Sequence, residues 1–205
     1  KDQEHLSVLI FSDSDMPDRT GAILGSESDR EAVANRLLND ARLLESAGCT
    51  VLAVPCNTAH YFLDRVQEQI GIPVIHMIRE TAHFLLSQGL KRPGILATIQ
   101  TGLYQREFAA LGLEPLVPTP EAQRQVMSLI YDDIKAGKPG NPDKFAISHQ
   151  DLIAQGCDCA VLACTELSVF ATQYPLPPFF VDAMAILAER AVQACQKPLR
   201  QLHTK

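Results

Sequence analysis

Two cysteines, Cys56 and Cys164, stand in closely similar surroundings in the two halves of the sequence. Each follows a short apolar run and precedes a polar residue, Asn57 or Thr165. Ligands of open α/β sheets bind beyond the carboxyl ends of the strands, so both thiols are predicted to lie where chemistry takes place. Racemisation at an α-carbon needs a base on one face of the substrate and an acid on the other. Two opposed thiols, one of them ionised, can supply both.

A thiol acts as a base only as its thiolate, and its ordinary pKa of about 8.5 falls at a helix N-terminus. Cys56 and Cys164 both occupy predicted strand-to-helix turns, so we expect both thiolates to be stabilised there. Backbone N–H groups and polar side chains at the same turns could hold a substrate carboxylate. The side chains placed for this are Asn57, Thr58 and Thr165.

An internal repeat surrounds the two cysteines. Residues 48–57 align without gaps on residues 156–165, and each copy begins with Gly-Cys and ends with an apolar run, a cysteine and a polar residue. A short helical segment, a proline-containing loop and another apolar run follow each copy. The repeat implies two related α/β halves.

Short apolar runs alternate with amphipathic segments along the chain. The helical pattern over 30–47 ends before Gly48, and Thr119-Pro120 is a typical helix start. This alternation predicts an α/β fold of two similar, pseudo-symmetric parallel-sheet domains. The predicted domains are 1–93 with 183–205, and 94–182. The predicted strands are 8–11, 51–54, 74–78, 94–97, 160–163 and 179–181.

Composition narrows the functional classes. A net charge of −6 and a pI of about 5.5 argue against a nucleic-acid or anionic-membrane partner. No apolar run approaches the ~20 residues of a membrane helix, and no signal peptide is recognisable. The six cysteines are interpreted as reduced thiols of a cytoplasmic protein. The spacing of Cys157 and Cys159 does not fit a zinc knuckle, so we expect no metal.

The motifs Pro-Cys-Asn-Thr-Ala-His at 55–60 and Ala-Cys-Thr-Glu-Leu at 163–167 resemble those of the aspartate/glutamate racemases, and most closely the aspartate racemases. The resemblance runs from Lys1 to about Gln196 and includes the segments 2–5, 16–20 and 135–137. It implies two similar α/β domains with the active site in the cleft between them. It also implies no pyridoxal phosphate or other cofactor, and a homodimer.

The resemblance assigns roles to individual residues. Cys56 and Cys164 match the catalytic pair, whereas Asn57, Thr58 and Thr165 match positions that bind the amino-acid carboxylate and amine. Arg19 and Lys135 match the residues that hold the side-chain carboxylate, a task suited to a planar guanidinium and a mobile ammonium. Thr98 and Thr101 keep hydroxyls near the carboxylate.

Two departures from the family pattern accompany the resemblance. Gln100 stands where the family has Gly, which would change the turn that carries Thr98 and Thr101. The family also begins with a strand and a glycine loop upstream of the position of Lys1, so we expect the sequence to be a fragment.

The predicted function is therefore cofactor-independent interconversion of L- and D-aspartate. A broader aspartate/glutamate racemase stays open, since one methylene is worth only ~1–3 kcal/mol of discrimination. Decarboxylation or isomerisation of a small diacid by a related enzyme of this superfamily is another alternative, and the decarboxylases fit less well because they keep only one of the two cysteines. A catalytically inactive amino-acid or diacid-binding protein, and a thiol redox or zinc protein, are the remaining alternatives. His60 is interpreted as structural, and Glu166 either orients a thiol or favours a helix N-terminus.

Overall fold

The computed structural model of the chain describes residues 5–98 and 101–199. The chain divides into two compact units, the first comprising residues 1–54, 58–76 and 187–205 and the second 55–57 and 77–186. The predicted boundary lay at 93–94, whereas residues 77–93 here belong to the second unit. The helix that starts at Met77 joins that unit because Arg79 forms an ion pair with Glu107, Nε to Oε2, at 2.7 Å.

The first unit contains one short parallel sheet and several helices. The helices are α1 (Arg19–Leu24), α2 (Glu27–Ser46), a 3-10 turn (Thr58–Tyr61) and α3 (Leu63–Gln67). Strands β1 (Leu52–Ala53) and β2 (Val74–Ile75) pair in parallel. Helix α2 begins before the predicted residue 30 because Ser26 and Asp29 form a reciprocal capping box.

The strand predicted at 8–11 is wrong. These four residues form no strand in the described structure, and Val8 and Ile10 are 69% and 83% exposed. An apolar run becomes a strand only where a neighbouring strand takes its backbone hydrogen bonds. Among the described residues, the first sheet contains only β1 and β2, which pair with each other. The segment is instead tied to α2 further along, where Arg36 forms two hydrogen bonds with Asp13.

The second unit has a three-stranded parallel sheet in the order β3-β4-β5. The strands are β3 (Pro93–Leu96), β4 (Cys159–Leu162) and β5 (Phe180–Asp182). All residues of β3 and β4 are buried, as expected for strands covered on both faces. In the first sheet, the strand predicted at 74–78 is shorter than expected: β2 ends at Ile75 because the next helix begins at Met77.

Helices cover the second sheet. They are α4 (Met77–Ser87), α5 (Leu103–Ala110), α6 (Pro120–Ser128), a π-helix (Leu129–Ile134), α7 (Pro142–Ala154) and α8 (Thr165–Gln173), and α9 (Ala183–Ala194) follows β5. Thr119 caps α6 as predicted, its side chain accepting from the backbone N–H of Ala122. Close packing extends to the backbone, since a Cβ on Gly94 would lie 2.6 Å from a methyl carbon of Leu152.

The internal repeat has a structural counterpart in each unit. β1 leads through helical turns to its parallel neighbour β2, and β4 leads through α8 to its parallel neighbour β5. The predicted α/β class with short parallel sheets is therefore confirmed. In the part of the chain that the structure describes, no helix is both long and apolar enough to cross a membrane.

Candidate active site

Cys164 lies at the point where β4 passes into α8. It is the N-cap residue of α8, with extended backbone angles, and only 8% of it is exposed. Its Sγ donates a hydrogen bond to Oε2 of Glu166 at 2.8 Å. Burial raises the pKa of this thiol well above its ordinary value, and the hydrogen bond to Glu166 and its negative charge raise it further.

The expectation that the helix N-terminus would favour the Cys164 thiolate is therefore corrected. The backbone N–H of Glu166 does lower the pKa of the thiol, as predicted, but burial and the neighbouring carboxylate outweigh it. The raised pKa favours the protonated thiol of Cys164, which is the form that an acid catalyst requires.

Glu166 organises three neighbouring groups. Its Oε2 accepts from Cys164 and, at 3.1 Å, from Oγ1 of Thr165, while its Oε1 lies 3.6 Å from Nζ of Lys135. Burial opposes ionisation of Glu166, but the thiol and hydroxyl donors and the charge of Lys135 hold its pKa below the usual value. The side chain is thus a carboxylate in contact with a proton donor and a cation.

Lys135 follows the π-helix, a geometry often found at functional sites. Its backbone N–H donates to the carbonyl of Ile130 at 2.9 Å, and its Nζ lies 4.5 Å from the ring centroid of Tyr131. Asp133 fixes the same turn through an ion pair of 2.8 Å with Lys144. The side chain of Lys135 is 42% exposed, so its ammonium group remains accessible while it lies close to Glu166.

Residues 55–57 of the first cysteine motif belong to the second unit, although they follow β1 in sequence. Oδ1 of Asn57 accepts a hydrogen bond from the hydroxyl of Tyr104. Burial is the largest cause of the raised pKa of Tyr104, and electrostatic interactions with Cys164 and Asp182 raise it further. Tyr104 therefore contacts the first cysteine motif directly and responds electrostatically to the second.

The two threonines after β3 occupy different positions. Leu96 pairs with Leu162 in the parallel sheet, so Thr98 and Cys164 both lie two residues beyond the paired ends, at the same sheet edge. Thr98 is buried, whereas Oγ1 of Thr101 accepts from the backbone N–H of Leu103 at 3.4 Å. Gln100 and the segment Asp2–Glu4, which the sequence comparison singled out, lie outside the described residues.

Arg19 and Thr58 belong to the first unit. Arg19 is the first residue of α1, behind its N-cap Asp18, and Thr58 begins the 3-10 turn. Nε of Arg19 is buried and has no hydrogen-bond partner among the described residues. A guanidinium with an unused, desolvated N–H is suited to binding a carboxylate.

Tyr104 and Gln123 were missed by sequence reasoning. Tyr104 and Phe108 recur at helical spacing, which indicates only a buried helix face. Gln123, on α6, donates from Nε2 to the carbonyl of Ala97 at 2.8 Å, beside the turn that carries Thr98. No sequence signal distinguishes either residue from ordinary core and helix positions.

His60 and Asp182 have structural partners. His60 is buried and packs edge-on against His76, with ring centroids 4.9 Å apart. Oδ1 of Asp182 accepts from Oγ of Ser168 at 2.7 Å and from the backbone N–H of Met184 at 2.9 Å, which fixes the start of α9. Within residues 5–98 and 101–199, no three His, Cys, Asp or Glu side chains are grouped to hold a metal ion.

Comparison with known proteins places this chain in a family. The family model described as Asp/Glu/hydantoin racemase matches residues 1–191. The broad specificity amino-acid racemase RacX of Bacillus subtilis (strain 168) is 27% identical over 169 residues, which is 80% of this chain and 73% of RacX. The aspartate racemase of Picrophilus torridus is 26% identical with a TM-score of 0.74, over 98% of this chain and 84% of that chain.

Glutamate racemases share the fold at lower identity. The Campylobacter jejuni enzyme is 15% identical with a TM-score of 0.55, over 92% of this chain and 72% of that one. The chain belongs to the Asp/Glu/hydantoin racemase family, and this membership supports an amino-acid racemase acting on a small-molecule substrate.

Proposed function

We propose that the protein interconverts L- and D-aspartate without an added cofactor, using Cys56 and Cys164 as the two proton-transfer groups. The observation that carries the proposal is the buried Cys164 thiol, which is hydrogen-bonded to the ionised Glu166 at the carboxyl end of β4. A thiol held in its protonated form at this position is suited to deliver a proton to carbon.

Each half-reaction moves one proton. For one enantiomer, the Cys56 thiolate removes the α-proton and becomes a thiol, and Cys164 gives its proton to the opposite face and becomes a thiolate. The other enantiomer reverses the two roles. Before the next turnover in the same direction, Cys164 regains a proton from solvent by way of Glu166, and Cys56 releases its proton to solvent. Lys135 stabilises the Glu166 carboxylate between these transfers.

The cations and polar side chains that the sequence predicts as ligands would hold the substrate. Lys135 and Arg19 bind the side-chain carboxylate, because Lys135 is accessible and Arg19 has an unused buried N–H. The α-carboxylate and the ammonium group are bound by five polar side chains, those of Asn57, Thr58, Thr98, Thr101 and Thr165. Electrostatic stabilisation of the developing carbanion by these groups supplies much of the rate.

A broader substrate range is the second candidate. The pairing of Lys135 with Glu166 leaves that cation already neutralised before a substrate arrives, which reduces its preference for a second carboxylate. The similarity to RacX of Bacillus subtilis, a broad specificity amino-acid racemase, favours the same possibility.

The assembly and compartment form part of the proposal. All six cysteines lie within the described residues and none is paired in a disulfide, as a reducing compartment maintains them, which supports a cytoplasmic protein. A two-fold homodimer is the usual closed assembly of a protein of this kind. Light scattering coupled to size exclusion is expected to give twice the chain mass of 22.5 kDa.

The test is α-proton exchange in deuterated water. L-aspartate, L-glutamate and L-alanine are each incubated with the protein, and deuterium incorporation and optical activity are followed together. We expect Cys56→Ser and Cys164→Ser to lose at least about a hundredfold in racemisation, the usual contribution of a positioned acid or base. Cys195→Ser, which changes a thiol just beyond α9, is the matched control and is expected to stay active.

The outcomes separate the alternatives. Racemisation that survives both serine substitutions would overturn the two-thiol mechanism. Binding of aspartate without exchange would identify an inactive binding protein. Equal turnover of all three amino acids would replace the aspartate racemase by a broad specificity enzyme.

A further inference from the structure

Tyr104 is a buried tyrosine with a polar partner in the Cys56 motif. It is the second residue of α5, only 5% of it is exposed, and its ring packs edge-on against Phe108 at 5.3 Å. Its hydroxyl donates to Oδ1 of Asn57. A buried hydroxyl without a partner is destabilising, so this hydrogen bond links the position of α5 to the side chain of Asn57.

The hydrogen bond determines which way the amide of Asn57 faces. A side-chain amide has one acceptor end and one donor end, and Tyr104 occupies the acceptor end. Nδ2 with its two N–H groups must then point away from Tyr104. Rotating the amide by half a turn would make Nδ2 the donor to the phenol oxygen and would take away the oxygen that accepts the phenol proton.

The phenol stays a donor over the pH range in which the thiols work. Burial raises the pKa of Tyr104 above its ordinary value, so the hydroxyl keeps its proton. Gly102, with φ of 73° in the left-handed region, is the N-cap residue of α5, and Tyr104 lies in the first turn of that helix. Helix α5 is in turn held to α4 by the pair of Arg79 with Glu107.

We infer that Tyr104 is a positioning residue that fixes the amide of Asn57 so that Nδ2 donates to a carboxylate of the amino-acid substrate. The inference rests on the proposed function, which makes Asn57 a ligand. It adds a residue that touches no substrate itself and acts through the orientation of the amide.

A purely structural role for Tyr104 makes a different prediction. If the hydroxyl only forms a stabilising hydrogen bond in the protein interior, its removal lowers the melting temperature and leaves KM unchanged at temperatures where the protein is folded. If it orients Asn57, its removal weakens substrate binding while the proton-transfer step at the two thiols continues. A split between KM and kcat therefore distinguishes the two roles.

The experiment compares Tyr104→Phe with Tyr174→Phe. Tyr104→Phe keeps the ring and its contact with Phe108, and Tyr174→Phe removes a phenol hydroxyl in the same unit, from a ring that packs on Phe170 at 4.8 Å. We expect Tyr104→Phe to raise KM for L-aspartate about tenfold with kcat within about twofold, the loss of one oriented hydrogen bond. Tyr174→Phe is expected to leave both constants unchanged.

A second measurement reports the amide directly. The ¹⁵N side-chain signals of Asn57, assigned through Asn57→Ala, are recorded with and without L-aspartate. In the unsubstituted protein they are expected to be sharp and to shift on binding, and in Tyr104→Phe to broaden and to report an about tenfold weaker Kd. Asn57→Ala and the double variant are expected to have the same KM, since the two residues act in series.

Each outcome decides the inference. An unchanged KM in Tyr104→Phe, or a fall in kcat at constant KM, overturns it. If no amino acid is racemised, the proposed function fails, and the amide signals still decide whether Tyr104 orients a ligand-binding Asn57. If aspartate leaves those signals unchanged, the inference is overturned as well.

Discussion

At the scale of single residues, the site contains two thiols in different environments. Cys164 is buried against a carboxylate, while Cys56 is partly exposed and lies beside an amide held by a tyrosine. Glu166 keeps the Cys164 proton in place, so the two cysteines are expected to differ in their reactivity as thiolates. This difference can be measured without any assumption about the substrate.

Alkylation by iodoacetamide at pH 7.5 is expected to label Cys56 before Cys164. Cys164 is 8% exposed and its pKa is raised first by burial and then by Glu166, so little thiolate is present. Glu166→Gln removes the negative charge and is expected to accelerate labelling of Cys164 roughly threefold to tenfold, since one pKa unit changes the thiolate population about tenfold. Peptide mass spectrometry over time gives both rates, and Cys159, buried in β4, is the internal control. Slower labelling of Cys164 in the variant would contradict this account of Glu166.

Lys135→Gln is expected to raise KM for L-aspartate about tenfold or more and to leave kcat/KM for L-alanine within about threefold. The ammonium is accessible and is proposed to bind the side-chain carboxylate, which alanine lacks. The matched control is Lys138→Gln, because Nζ of Lys138 donates a hydrogen bond to the backbone carbonyl of Asp132 at 3.0 Å. Steady-state assays with both substrates check the prediction, and an equal loss on alanine and aspartate would assign Lys135 to Glu166 instead of the substrate.

At the scale of elements, close packing of strand on helix holds the cysteine-bearing sheet. β3 and β4 supply the edge on which Thr98 and Cys164 lie, and α7 covers β3 through Leu152, which is fully buried. Because the approach of this helix depends on a missing side chain at Gly94, the sheet geometry is sensitive to a single methyl group.

Gly94→Ala is expected to lower the free energy of unfolding by about 1–3 kcal/mol, because its Cβ would lie 2.6 Å from a Leu152 methyl carbon. In a Leu152→Ala background the same substitution is expected to cost less than about 0.5 kcal/mol, since the opposing methyls are gone. Urea denaturation of the four proteins gives the coupling energy. Additive effects would mean that helix α7 moves away without strain.

The sequence predicted the repeat, the parallel strands at 160–163 and 179–181, and the cap at Thr119, because each is a local pattern. It did not predict that 8–11 would lie exposed, since pairing depends on a neighbouring strand. The raised pKa of Cys164 also escaped prediction, because burial and the direction of the Glu166 side chain are tertiary properties. Tyr104 was indistinguishable from a core residue until its hydroxyl partner was known.

At the scale of the whole molecule, the stability of the protein is expected to depend on pH through Asp13. Arg36 forms a two-pronged ion pair with Asp13, and its hydrogen bond lowers the pKa of that carboxyl from 3.8 to about 2. A lowered folded-state pKa contributes stability that is present above pH 3.8 and is lost as the pH falls through about 2.

Asp13→Asn is accordingly expected to lower the melting temperature at pH 5–7 by a constant amount, and the difference from the unsubstituted protein is expected to shrink between pH 4 and pH 2. Thermal unfolding in a buffer series measures it. Asp15→Asn is the matched control, because Asp15 is largely exposed and lies 3.7 Å from the same guanidinium. A difference that grows towards acid would contradict the ion pair.

The π-helix before Lys135 has a consequence for which changes the site tolerates. An α-helix turns by about 100° per residue, whereas the wider turn from Ile130 to Lys135 accommodates one residue more per hydrogen-bonded step. The direction in which the Lys135 side chain points therefore depends on the number of residues in this turn and not on the chemistry of the side chains between them. Point substitutions at the exposed positions of this turn leave the direction of Lys135 unchanged. Deletion of one residue would rotate its side chain about the helix axis, away from Glu166, by roughly a quarter of a turn.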